Sequence, residues 1–374
     1  MKQFSSPWAD CETYLSASSP DQPVIFFHPA RLADTFHRFQ SGFPGLVTYA
    51  VKANDQEEVL QTLCLAGMTS FDVASPVEMA KVRRACPEAT LHYNNPVRSR
   101  AEIEVAKEFG VASWSVDDPV ELNKLRDIAP ESEVAVRLRL PVVGAAYNFG
   151  EKFGADPEHA VELLKQVVAM GFRPAMTFHP GTQCEDPHAW EQYIKACAEV
   201  AREAGVRLDR LNVGGGFAAH RTNEAPVPER VFEVIERAVK AEFGKEAPEL
   251  VCEPGRAMVA EAYSLATRVK SLRTDGRIYL NDGVYGALAE WRDISAMDRC
   301  RVVGTGGKVR NGEPLARIVY GPTCDSIDRL PERVLLPSDI EEEDYILFDG
   351  MGAYSSSIAT RFNGYGNFVK VSIQ

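Results

Sequence analysis

The sequence predicts an α/β protein in which a TIM (β/α)8 barrel is followed by a C-terminal β domain. Three observations carry that expectation. From about residue 46, short β-branched runs alternate with amphipathic helical stretches, the pattern of repeated βα units around a parallel sheet. Eight such runs follow one another, the number that closes a barrel. After Met258 the texture changes to β-rich segments divided by Gly, Asn, Asp and Pro, without long helices between them.

Taken in order, the eight strands are read as Leu46–Val51, Ser70–Val73, Ala89–Tyr93, Ala112–Val116, Glu133–Leu140, Ala175–His179, Arg210–Val213 and Glu249–Glu253. Helices between them include Gln56–Ala66, Val77–Ala85, Pro119–Ile128 and Pro187–Ala204. The β domain contributes Tyr263–Leu272, Arg277–Leu280, Ala316–Tyr320 and Tyr345–Phe348. Pro23–Phe27 is a further strand-like run outside the eightfold count, available to the β domain from the N-terminus. The expected boundaries are residues 31–258 for the barrel and 1–30 plus 259–374 for the β domain.

Composition narrows the function classes. The 374 residues are 45% hydrophobic, enough for a large core. A net charge of −12, with both signs interspersed, argues against a phosphate-backbone binder and favours small-molecule ligands; no nucleic-acid partner is expected. No apolar run is long enough for a membrane span, and Met1-Lys2-Gln3-Phe4 lacks the apolar stretch of a signal peptide, so no membrane association and a cytoplasmic location are expected. The eight cysteines are scattered, without a Cys-x-x-Cys pair, and read as reduced thiols.

In a (β/α)8 barrel, chemistry sits at the C-terminal ends of the strands. The first strand ends Tyr49-Ala50-Val51-Lys52-Ala53-Asn54, offering an amine that can form a Schiff base with an aldehyde; a solvated surface lysine explains it equally. The sixth ends Phe178-His179-Pro180-Gly181-Thr182, with an imidazole able to lie on an aromatic ring and a hydroxyl able to reach a phosphate, or else a core histidine. The seventh ends Val213-Gly214-Gly215-Gly216, where backbone N–H groups can approach an anion, although a tight turn accounts for the glycines as well. The eighth ends Cys252-Glu253-Pro254-Gly255-Arg256, a carboxylate for a ring nitrogen and a guanidinium for a phosphate, or simply a local ion pair. Together they describe a site for a phosphorylated pyridine aldehyde.

On these motifs the sequence resembles the fold-type III (alanine racemase-like) pyridoxal-phosphate decarboxylases, in the branch of ornithine, lysine, arginine and diaminopimelate decarboxylases. The resemblance implies pyridoxal 5′-phosphate as cofactor, held covalently by Lys52, with His179 on the pyridine face and Glu253 at the ring nitrogen. It implies Thr182, Gly214, Gly215, Gly216, Gly255, Arg256 and Tyr354 at the phosphate, with Asp72, Ser75, Glu78 and Arg137 nearby. In Gly321-Pro322-Thr323-Cys324-Asp325 it makes Cys324 the proton donor and Asp325 the binder of the substrate's distal amine. Both reach the cofactor of the opposite subunit, so a homodimer is implied. Phe362-Asn363-Gly364 also fits the branch.

There are departures. The sixth strand end reads His-Pro-Gly-Thr where the family more often has Val and Ser in the second and fourth places. Where many eukaryotic members carry an amine-gripping aspartate after Tyr285, this chain has Ile294, with Asp293 beside it and Glu290 at an acidic position of bacterial relatives. Tyr285, Glu290 and Asp293 are therefore the remaining candidates for substrate binding. The implied reaction is decarboxylation of L-ornithine to putrescine and CO2 in polyamine biosynthesis, without a metal. Lysine, arginine, diaminopimelate or a carboxylated polyamine are the alternative substrates, and a noncatalytic decarboxylase-like regulator is the alternative of another class.

Overall fold

The computed structural model describes residues 7–141, 152–221, 224–293 and 298–374. The chain opens with helix α1 (Cys11–Ser18), strand β1 (Val24–Phe27) and helix α2 (Pro29–Gly42), and then enters the barrel. Its strands are β2 (Leu46–Val47), β3 (Tyr49–Ala50), β4 (Ser70–Val73), β5 (Thr90–Tyr93), β6 (Ser113–Val116), β7 (Glu133–Leu138), β8 (Arg173–Phe178), β9 (Arg210–Asn212) and β10 (Glu249–Cys252). All pairs between them are parallel. β3 pairs with β4 at one end of the sheet and β2 with β10 at the other; as β2 and β3 are successive halves of the first strand, the ring comes round on itself. The halves part at Thr48, whose N–H and hydroxyl both donate to the Cys252 carbonyl, at 2.9 and 3.0 Å. The eight predicted strand positions and the barrel are thus present.

The intervening helices are α3 (Glu57–Leu65), α4 (Pro76–Ala85), α5 (Arg100–Glu108), α6 (Pro119–Lys124), α7 (Pro157–Ala169), α8 (His188–Ala204) and α9 (Pro228–Phe243). Three of them start on the same chemistry. Ser75-Pro76, Asp118-Pro119 and Asp156-Pro157 each place an oxygen that accepts a first-turn N–H before a proline whose fixed φ suits the first helical position. α6 is shorter than the predicted Pro119–Ile128: beyond Lys124 the N–H groups of Leu125 and Ile128 bond three residues back, and Pro130 blocks continuation.

One cysteine expectation fails. Cys64 in α3 and Cys86 at the end of α4 form a disulfide with a Cα–Cα distance of 5.9 Å. Adjacent βα units run side by side, so one repeat of 22 residues returns the chain to the same level, a relation that no local spacing rule reveals.

Two compact units emerge: Thr35–Ala218 with Pro226–Ala257, holding the barrel, and Met1–Asp34 with Ala219–Ala225 and Met258–Gln374. The second contains helices α10 (Arg256–Val259, at the boundary) and α11 (Ala289–Asp293). Its strands are β11 (Tyr263–Leu272), β12 (Ile278–Leu280), β13 (Cys300–Val303), β14 (Pro314–Arg317), β15 (Val319–Tyr320), β16 (Val334–Pro337), β17 (Tyr345–Asp349) and β18 (Val369–Ser372). The main sheet runs β13-β17-β11-β1-β18, with β1 antiparallel to β11 and parallel to β18. Leu15, Phe26, Val303, Leu347 and Val371 pack into its core. The predicted run Ala316–Tyr320 divides between β14 and β15, which pair with different strands. Residues 219–225, placed in the barrel by the sequence, belong to the β unit, where Arg221 is buried in an ion pair with Glu290. No helix among the described residues is long and apolar enough to cross a membrane.

Candidate active site

At the barrel's C-terminal end, β3 runs into a tight turn, Val51–Ala53, that carries Lys52. Val51, Ala53 and Asn54 are buried while Lys52 is exposed, and the Tyr49 hydroxyl donates to the Asn54 carbonyl at 2.9 Å to close the turn. Two carboxyl groups feel the Lys52 charge. Asp72, near the end of β4, is 6% exposed, and burial followed by the Glu253 charge pushes its carboxyl well above the usual carboxylate range. Its Oδ1 has no hydrogen-bond partner among the described residues. Glu78 accepts the Ala74 N–H at 2.7 Å and is likewise raised by burial.

His179 follows β8, and burial, then the Lys52 and Arg137 charges, push its imidazole well below the ordinary histidine range, so it is neutral. Its Nδ1 accepts the Gly181 N–H at 3.1 Å, which leaves the ring proton on Nε2. The ring lies against the glycine loop: a Cβ on Gly215 would stand 3.3 Å from Nε2. Glycine is obligatory at Gly214 and Gly216, where φ is 69° and 84° and a Cβ would come within 2.1 Å of the Phe178 carbonyl and 2.4 Å of the Gly181 carbonyl. The Gly214 N–H is taken by Asn212 Oδ1 at 2.9 Å, whereas those of Gly215 and Gly216 donate to no protein acceptor among the described residues. Thr182 and Arg256 are buried, at 8% and 7% exposure. Gly255 packs against the Lys52 turn, its would-be Cβ 3.1 Å from Ala53. Arg137 on β7 is lowered by burial and attracted by Glu253. Glu253 itself accepts from the side-chain amides of both Asn94 and Asn212.

The β unit presents a second group of side chains. Cys324 is an exposed free thiol, and both its N–H and its Sγ donate to Asn363 Oδ1, at 3.1 and 3.3 Å. The Tyr285 hydroxyl donates to Asp325 at 2.6 Å and holds that half-buried carboxylate below its ordinary range. Phe362 rests on the Tyr285 ring, 4.9 Å between centroids. The segment is pinned from behind by Asp328, 1% exposed, which accepts from Val284 N–H, Thr323 N–H and the Thr323 hydroxyl at 3.0, 3.0 and 2.7 Å. Tyr354 sits at φ 49°, a left-handed conformation uncommon for an aromatic residue. Glu290 is buried and bonded to Arg221 at 3.0 Å, so its carboxylate is engaged in an ion pair within the β unit. The Asp293 side chain and Ile294 lie outside the described residues.

A family model for the pyridoxal-binding domain of pyridoxal-dependent decarboxylases matches residues 30–260. The chain belongs to this family. Ornithine decarboxylase of Panagrellus redivivus is 29% identical, over 92% of this chain and 84% of that protein. Among solved structures, the Paramecium bursaria Chlorella virus arginine decarboxylase superposes with a TM-score of 0.87 at 26% identity, covering 96% of this chain and 98% of that one. The Vibrio vulnificus lysine/ornithine decarboxylase complexed with putrescine gives a TM-score of 0.82 at 26% identity, covering 97% of each chain. This decarboxylase is accordingly a fold-type III carboxy-lyase of the ornithine, lysine and arginine branch, with pyridoxal phosphate as cofactor.

The residues of the decarboxylase fit that cofactor. A neutral imidazole, two backbone N–H groups and a buried carboxyl oxygen without partners among the described residues, and a buried guanidinium stand at or near the C-terminal ends of barrel strands. Sequence reasoning named most of them, but gave no role to Asn94, Asn212, Asn363 or Asp328. For Asn94 a signal existed, since it stands directly after a strand, Thr90–Tyr93, where barrel chemistry is expected.

Proposed function

We propose that this decarboxylase removes the α-carboxylate of a basic amino acid, and that its substrate is L-ornithine, which it converts to putrescine and CO2. The observation that carries a basic substrate is Asp325, a half-buried carboxylate kept ionised by the Tyr285 hydroxyl one residue from the Cys324 thiol. Such a carboxylate is an acceptor for a distal ammonium group. The Panagrellus protein named an ornithine decarboxylase and the Vibrio structure with putrescine support ornithine. Lysine or arginine is the second reading, favoured by the names of those two solved structures.

When bound, pyridoxal phosphate supplies the conjugated ring that takes up the electron pair released with CO2. Lys52 would hold the cofactor through its ε-amine, with His179 against the ring and Glu253 at the ring nitrogen. Gly215 and Gly216 N–H groups, Thr182, Gly255, Arg256 and Tyr354 would hold the phosphate, while Asp72 and Arg137 shape the charge around it. Neutral His179 can pack on a flat ring without adding a positive charge beside Lys52 and Arg137. The Cys324 thiol would give a proton to the substrate Cα, and Asp325 would grip the far amine. Cys324 stands exposed and Asp325 half-buried on the β unit, and in this reading they serve the barrel of a second copy, making the enzyme a homodimer.

Lys52→Ala tests the assignment at its root. The variant should bind cofactor without the visible absorbance of a lysine-bound aldehyde and should not turn over. A variant that retains that absorbance and full turnover overturns it.

A further inference from the structure

Two side-chain amides meet at one oxygen of Glu253. Asn94 follows β5 and Asn212 ends β9, and the Nδ2 group of each donates to Glu253 Oε1. No donor reaches Oε2 among the described residues. The Asn212 amide has a fixed sense, because its Oδ1 accepts the Gly214 N–H at 2.9 Å on the other side. The Asn94 backbone is held as well: its carbonyl accepts the Ser115 hydroxyl at 2.7 Å.

We infer that Asn94 and Asn212 are positioning residues for decarboxylation: they lock the Glu253 side chain so that its second oxygen meets the cofactor's ring nitrogen, and Asn212 couples that contact to the phosphate cradle through Gly214. The inference rests on the reading above that Glu253 faces the ring nitrogen. Its physical basis is twofold. An amide nitrogen is a donor only, so two of them converging on Oε1 match an accepting oxygen. A glutamate side chain otherwise has several rotatable bonds, and two donors from two other strands remove that freedom before the cofactor arrives. Asn212 goes further, since one planar group spans from the N–H of Gly214, which starts the phosphate-side loop, to the carboxylate on the ring side. A shift at either end is therefore felt at the other.

The test uses the isosteric Asn94→Asp and Asn212→Asp, which replace the donating nitrogen by an acceptor, with Asn94→Ala as a second variant and Glu253→Gln as the reference. Four quantities are read: the pH titration of the bound-cofactor absorbance, kcat, KM, and the melting temperature of the cofactor-free protein. Each Asp variant should lower kcat by about 10- to 100-fold, the usual range for residues that orient a reacting group, with KM changed less than about threefold. The inflection of the absorbance titration should move by about one pH unit or more. Cofactor-free melting temperatures should stay close to that of the parent, and adding Asn94→Asp to Glu253→Gln should change kcat less than about twofold, as expected of a residue acting through another. Asp variants that keep the parental kcat and titration overturn the inference, as do effects that multiply in full in the Glu253→Gln background, or a loss confined to melting temperature. If Glu253→Gln itself leaves turnover and titration unchanged, the placement of Glu253 at the ring nitrogen fails, and the inference falls with it for that separate reason.

Discussion

Replacing Asp328 with alanine should loosen the segment that presents Cys324 and Asp325. The Asp328 carboxylate is 1% exposed and takes three hydrogen bonds, one from Val284 and two from Thr323. Gly283 and Gly321 approach it so closely that a Cβ on either would lie 2.2 Å from its Oδ1, so the surrounding backbone is built around this side chain. Each buried donor left without an acceptor costs about 1–3 kcal/mol. Three donors, with water recovering part of the loss in the space vacated, give a destabilisation of about 3–5 kcal/mol. At about 2–4 °C per kcal/mol for a unit of this size, the melting temperature should fall by roughly 6–20 °C. Asp328→Asn should cost less, because its carbonyl oxygen still accepts at one side while its NH2 faces the donors of the other. The assay is thermal unfolding of the cofactor-free protein beside steady-state turnover, where kcat should fall together with stability because the same segment carries the thiol. An Asp328→Ala protein that melts within about 1 °C of the parent and turns over normally would refute this account of the segment.

Two further outcomes follow from the structure. If Cys324 and Lys52 act across subunits, mixing the inactive Lys52→Ala and Cys324→Ala proteins and allowing exchange should restore about one quarter of parental activity, since half of randomly paired dimers carry one intact site; no recovery despite demonstrated exchange counts against the shared site. Burial pulls the His92 and His28 imidazoles from 6.5 down to about 4. Their folded values lie below the unfolded ones, so the associated stability is complete above pH 6.5 and is lost between pH 6.5 and about 4 as the unfolded chain takes up protons first. For the deeply buried His92 this amounts to about 3 kcal/mol. Melting temperature should therefore fall less steeply over that interval in His92→Phe than in the parent, and parallel pH profiles would contradict the assignment.

The barrel was legible because each βα unit repeats the same local signals: a β-branched run, then Ser-Pro or Asp-Pro at three helix starts. Lys52, His179, Gly214–Gly216, Glu253 and Arg256 were legible for the same reason, each standing directly after a strand where barrel chemistry is expected. What stayed hidden depends on partners far apart in the chain. The partner of Glu290, Arg221, lies 69 residues away in no motif. Cys64 and Cys86 read as unrelated thiols until two neighbouring helices bring them together. Asn94 and Asn212 become significant only when β5, β9 and β10 converge on one carboxylate oxygen. In the β unit, short strands such as β13 and β16 carry too few residues for a period to show, whereas Pro23–Phe27 was readable as a strand for that domain and is there as β1, between β11 and β18.

The central claim is that this chain, through Lys52 and pyridoxal phosphate, decarboxylates a basic amino acid. It is tested most directly by incubating the purified protein with pyridoxal phosphate and, separately, L-ornithine, L-lysine, L-arginine and diaminopimelate, measuring CO2 and the amine formed. The account predicts equal amounts of CO2 and the matching amine, with ornithine giving putrescine fastest and the Lys52→Ala protein giving none. Absence of CO2 with every one of these substrates, in a protein shown to have bound the cofactor, would contradict it.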